Sequence, residues 1–108
     1  MISAVQIREI VRQYEKHGWT LRRVLLSPAT RESLADALET VFGETPIHSV
    51  EIDALWFSRL SAGGEAWELR RLRGSPFALV KVFDDKDDEA VRDQARHQIE
   101  KQMISAER

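Results

Sequence analysis

The side chains able to do chemistry are few and scattered. Three histidines, His17, His48 and His97, lie far apart, with no two at the i, i+4 spacing that sets a pair on one helical face around a metal. Cysteine is absent, which removes thiol nucleophiles, zinc–thiolate sites, iron–sulfur clusters and disulfides. The one compact group with acid–base capacity is His48, Glu51 and Asp53. On a continuous strand Glu51 and Asp53 share a face while His48 points to the other, so joint metal or proton chemistry there requires a bulge. Ser27 stands before Pro28 without the glycine flanks that expose a nucleophile on a strand-to-helix elbow, and reads instead as a helix cap. Gly63-Gly64 joins two strand-like runs rather than a strand to a helix, and so reads as a hairpin turn and not as a phosphate cradle. The acidic run Asp84–Glu89 lacks the alternating spacing and closing glutamate of a calcium loop, and suits the positive end of a helix. No catalytic residue, metal ligand or cofactor motif is assigned.

Composition narrows the class. A chain of 108 residues with 43% hydrophobic and 31% charged side chains is expected to form one globular domain, residues 1–108, and not a disordered chain. A net charge of -2 gives no global attraction to nucleic acid or anionic lipid, so any such binding must come from a local patch. No run approaches the ~18 apolar residues that span a bilayer. The opening decapeptide carries Arg8 and Glu9 where a secretory signal needs an apolar stretch. Asparagine is missing, so there is no N-glycosylation acceptor. A soluble, cytoplasmic protein with no membrane partner is expected.

The elements that must position these residues follow from periodicity. Residues 3–17 read as a helix with Ile7, Ile10, Val11 and Tyr14 on one face, ended by Gly18. Trp19 to Leu26 reads as a strand whose adjacent Arg22 and Arg23 point one to each side. Ser27-Pro28 opens a second helix that runs to Phe42 and stops at Gly43. Ile47 to Ile52 is a short strand, Ala54 to Ser61 and Glu65 to Arg73 form a hairpin, and Phe77 to Phe83 is the last strand. A C-terminal helix follows, with a narrow apolar stripe of Val91, Ala95, Ile99 and Met103. The order α-β-α-β-β-β-α predicts an α+β fold, a two-layer sandwich with helices on one face of a mixed or mostly antiparallel sheet.

Hairpin registers then select a surface. A three-residue Ala62-Gly63-Gly64 loop sets Ser61 against Glu65, and hence Phe57 opposite Leu69 and Trp56 opposite Arg70. A two-residue Gly74-Ser75 turn sets Glu68 against Lys81 and places Val80 and Val82 with Leu69 and Trp67, which avoids burying the lysine. Phe57 is then core, while Trp56, Arg70, Leu79 and Lys81 share an open face flanked by Phe77 and Phe83. A large aromatic beside an arginine on an uncovered sheet has the composition of a binding hot spot. Two structural readings compete with a binding role: the C-terminal helix folded across this face, or Trp56 resting on the stem of Arg70.

The favoured function is a non-catalytic protein-interaction or homo-oligomerising module, its partner a protein or a second copy, docking through Trp56, Arg70, Leu79, Lys81 and Phe77. No cofactor is expected. The first alternative is single-stranded nucleic acid stacked on the sheet aromatics, since residues 54–83 carry five basic and two acidic side chains. The second is a small-ligand carrier or enzyme without assignable catalytic groups.

Overall fold

The computed structural model describes residues 2–107. Helix α1, Ala4–Lys16, begins at a capping box: Gln6 N–H donates to the Ser3 hydroxyl at 3.2 Å, and Ser3 N–H donates to the Gln6 side chain at 2.8 Å. Strand β1, Thr20–Leu26, is followed by α2, Pro28–Ser33, capped by Ser27 as its sequence position indicates. The single helix expected to reach Phe42 is interrupted. A 3-10 turn at Ala35–Ala37 tightens the winding before α3, Leu38–Phe42, and Leu34, Leu38, Val41 and Phe42 still pack together.

Strand β2, Ile47–Ser49, lies parallel to β1, and the other pairings are antiparallel. With β3, Ala54–Ser61, β4, Gly64–Arg71, and β5, Ala78–Asp84, the sheet order is β2-β1-β3-β4-β5. Helix α4, Glu89–Ala106, completes the described residues. The α+β class, the mixed sheet and the order of elements are those read from the sequence.

The layering differs from the one-face expectation. Strand alternation sends Val24, Leu26, Leu55 and Phe57 to one side, where Ile7 of α1 and Phe42 of α3 meet them. It sends Leu25, Trp56, Trp67, Leu69 and Phe83 to the other, where Ile99 and Met103 of α4 meet them. The sheet is therefore covered from both sides. The C-terminal helix reaches the second side because its stripe is wider than its apolar residues alone: Arg92 and Arg96 continue the line of Ile99 and Met103 and lie over aromatic rings.

Three local features set the registers. The β1–β3 pairing shifts between Leu21 and Arg23, a bulge at Arg22. It turns both consecutive arginines to the α4 side, where Arg22 reaches the Ser58 hydroxyl at 3.4 Å and Arg23 reaches Asp93 at 3.4 Å. The β3–β4 loop holds two residues rather than three, so Ser61 faces Gly64. That ladder position requires glycine, since a β-carbon there would lie 1.8 Å from the Phe83 carbonyl oxygen. Finally, β4 keeps its pairing past Arg71: the Leu72 N–H donates to the Asp53 carbonyl at 2.9 Å, in register with the β3–β4 ladder. The Leu72 side chain is buried with Ile7 and Phe57, and Arg71 N–H still reaches the Phe77 carbonyl. The β4–β5 connection is correspondingly longer than a two-residue turn, and each of the two pairings moves by one position from the sequence expectation.

Candidate functional site

The register shifts dismantle the predicted Trp56–Arg70 surface. Trp56 faces Leu69, not Arg70, and is 0% exposed beneath α4. Its indole N–H donates to Glu100 at 2.8 Å, and its ring meets Trp67 edge-on at 6.0 Å. Arg70 faces Leu55 and Ala78 on the opposite side of the sheet. Leu79, Lys81 and Phe77 stay on the α4 side. Leu79 and Phe77 pack against its core, with the Arg71 guanidinium 5.1 Å from the Phe77 ring, and Lys81 is exposed beside Trp67. The five residues thus divide between two faces, and the hot spot inferred from them does not assemble.

Arginine chemistry on the α4 side is structural. Arg96 is 1% exposed, with its guanidinium 4.5 Å from the Trp67 ring and paired to Glu89 and Asp93. Arg92 pairs with Glu65 at 3.3 Å, and Glu65 also accepts the Trp67 indole N–H at 2.6 Å. Charge-assisted bonds and ring stacking let a polar helix seal an aromatic face. This cover also removes Trp56 and Trp67 as exposed rings on which a base would stack.

The acid–base group His48, Glu51 and Asp53 is likewise not a joint site. Asp53 is buried, accepting the Ser27 N–H and the Thr30 hydroxyl, each at 2.7 Å, with Arg73 at 3.7 Å. It ties the start of β3 to the β1–α2 turn, whereas His48 is exposed on β2. Among the described residues no cluster of histidine and carboxylate side chains is placed to hold a metal ion.

What remains open lies on the α1 side of β4 and β5. Helix α1 packs chiefly over β1 and α3, and on its side of the sheet the β5 valines are left exposed. Tyr14 marks its limit, stacking on Phe57 at 4.0 Å and donating its hydroxyl to Glu68. Burial, then that bond and the charge of Glu68, push the Tyr14 hydroxyl far above the ordinary tyrosine range, against a smaller opposing effect of Arg70. Beside it a groove of about 590 Å³ runs between α1 and β4, lined by Val5, Ile10, Tyr14, Arg70 and Leu72 among others. Beyond it Val80 and Val82 stand 56% and 54% exposed.

The backbone of β5 is open as well. Arg71 N–H donates to the Phe77 carbonyl at 2.9 Å, which fixes the alternation of the antiparallel ladder. Residues 77, 79, 81 and 83 direct their amides at β4, so Ala78, Val80, Val82 and Asp84 direct theirs away from the sheet. Asp84 is satisfied locally: its N–H donates to Asp87 at 3.0 Å and its carbonyl accepts from Arg92 at 3.0 Å. Ala78, Val80 and Val82 have no such cap among the described residues. The opposite edge, β2, is only three residues long. Sequence reasoning missed this edge because it took the Phe57 side of the sheet, where both valines do lie, as covered core across every strand. The signal available was the sequence Ala-Leu-Val-Lys-Val-Phe itself, a long apolar last strand with a single charge.

No family model matches the chain, and no curated protein or solved structure matches it. No helix among the described residues is long and apolar enough to cross a membrane.

Proposed function

We propose that this chain is a protein-interaction module whose interface is the β5 edge, where a partner adds a strand to the sheet. The carrying observation is the coincidence, at Val80 and Val82, of outward-directed backbone amides with exposed apolar side chains. An added strand turns solvated amides into a ladder and covers the valines in one step, so main-chain bonds supply affinity and the side chains supply selectivity. Folded proteins blunt long edges with charge, proline, bulges or a covering element. Here the capping reaches Asp84 and goes no further, and Lys81, the lone charge within the strand before Asp84, sits on the other face.

Hydrogen exchange of the Val80 and Val82 amides tests the reading, with extended heptapeptides selected from a displayed random library as the probe. Selected peptides are expected to slow exchange at these two amides and to lose binding when Val80 and Val82 become lysine. Peptides that bind while both amides continue to exchange at the rate of the isolated chain would place the interface elsewhere.

A further inference from the structure

We propose that the strand added at β5 is the β5 strand of a second copy, antiparallel and centred on Val80. This rests on the strand-addition reading and names its partner. The argument is that the free part of the edge is self-complementary about one residue.

Three residues, Ala78, Val80 and Val82, offer both an outward N–H and an outward carbonyl. The next outward position on one side is Pro76, which has no N–H, and on the other is Asp84, whose two groups are already bonded to Asp87 and Arg92. A two-fold pairing maps this strand onto itself reversed, and only a centre at Val80 maps the free set onto the free set. Val80 then faces its own mate, Ala78 faces the mate's Val82, and every pair exchanges both of its hydrogen bonds. The residues left opposite each other are Pro76 and Asp84, the two that have least to exchange.

The other centres fail on named groups. A centre at Val82 sets Val80 against Asp84, whose groups are occupied. A centre at Leu79 sets Val82 against Pro76, which cannot donate. A centre at Lys81 sets two lysines directly opposite one another, with like charges at the closest side-chain pair. Centred on Val80, each Lys81 instead faces Leu79 of the mate and can lay its stem across it. On the α1 side Val80, Val82 and Ala78 of both copies meet, so the chain's exposed valines of β5 cover one another. The product is one continuous sheet of doubled width with both α1 helices on the same face.

The absence of cysteine makes the register directly readable, because a single introduced cysteine forms the only possible disulfide. Directly opposed residues lie about 5.5 Å apart at their α-carbons, within disulfide reach, whereas Val82 and its mate are separated by four residues along the strand, roughly 13 Å. Val80→Cys is expected to form a linked dimer under mild oxidation and Val82→Cys to remain unlinked. Sedimentation velocity on the wild type is expected to show a dimer, and Val80→Lys to weaken it by about tenfold or more, equivalent to about 1.4 kcal/mol. A wild type that stays monomeric to millimolar concentration, while selected peptides still protect the Val80 and Val82 amides, overturns the second-copy inference and leaves strand addition standing. Efficient linkage through Val82→Cys but not Val80→Cys overturns the register. A dimer indifferent to Val80→Lys and unlinked by either cysteine, with both amides unprotected under every condition, overturns both readings.

Discussion

Strands β3 and β5 both begin with Ala-Leu and are both rich in apolar and aromatic side chains, yet they meet opposite fates. From Ala54 to Ser58 every residue of β3 is buried, whereas in β5 only Phe83 is. The difference is one of place. β3 lies between β1 and β4 with helices on both faces, so it reads as a continuous hydrophobic run. β5 lies at the margin, with α4 over one face and its valines exposed on the other. Apolar composition identifies a strand, and position in the sheet decides whether its side chains are core or contact surface.

The strongest way to break this comparison is to truncate β3 on each side in turn. Trp56 and Phe57 are both fully buried, on opposite faces. Alanine at either position is expected to cost about 3–5 kcal/mol, measured by denaturant unfolding. The sequence alone made Phe57 costly and Trp56 mild. A mild Trp56→Ala would mean that α4 does not seal the second face.

A smaller effect is expected where β3 is anchored. Asp53→Ala removes the acceptor for the Ser27 amide and the Thr30 hydroxyl, both donors in a partly or fully buried turn. A loss of about 2–3 kcal/mol is expected, as for hydrogen bonds to a charged group. Asp53→Asn retains one side-chain oxygen and should recover part of it. Equal losses for the two variants would show that the carboxylate charge, and not its acceptors, holds the turn.

These residues also show what was legible in the sequence. The elements followed from periodicity and caps: the Ser27 hydroxyl accepts the Thr30 amide at 3.4 Å, and α1 starts beside Ser3. The registers did not, because each depends on a contact remote in sequence. Gly64 can stand in the ladder because it has no β-carbon to meet the backbone of Phe83, and β4 is held in register past Arg71 by the bond from Leu72 to Asp53. A single-residue slip exchanges the faces of a strand, so β4 changed sides and Arg70 parted from Trp56. The two slips cancel between β3 and β5: Val80 and Val82 stay on the Phe57 side. What was misjudged is that this side is open at β5 while the Trp56 side is sealed. The cover of the second face was hidden for another reason. Arg92 and Arg96 serve there as packing residues, and a stripe counted from apolar residues alone omits them.

The boundary between sealed and open sheet has its own signature, in pH. Tyr14, the only tyrosine, stacks on Phe57 of β3 and bonds Glu68, which faces Val80 of β5. Its folded-state pKa is raised above the ordinary value of 10.0, so the folded chain holds this proton more tightly than the unfolded chain. The Tyr14 contribution to stability is therefore complete below pH 10 and is lost as pH rises above it. Phenolate absorbance is expected to appear only well above pH 10 in the folded protein, and Tyr14→Phe to show a shallower alkaline loss of stability. Titration at the ordinary value would detach Tyr14 from Glu68 and extend the open region toward α1.

The smallest expected effect is the most discriminating for β5. Val80→Lys and Val82→Lys change side chains that are more than half exposed and whose outward amides have no partner among the described residues. In a dilute, monomeric sample each should alter unfolding free energy by no more than about 0.5 kcal/mol, the range of ordinary surface substitutions. The same variants are expected to abolish peptide uptake at the edge, because a charge placed there loses its hydration when a strand is added. Chemical denaturation at low concentration, run beside the binding measurement, separates the two effects. A loss of several kcal/mol in the monomer would make these valines core residues, and β5 would then resemble β3 after all.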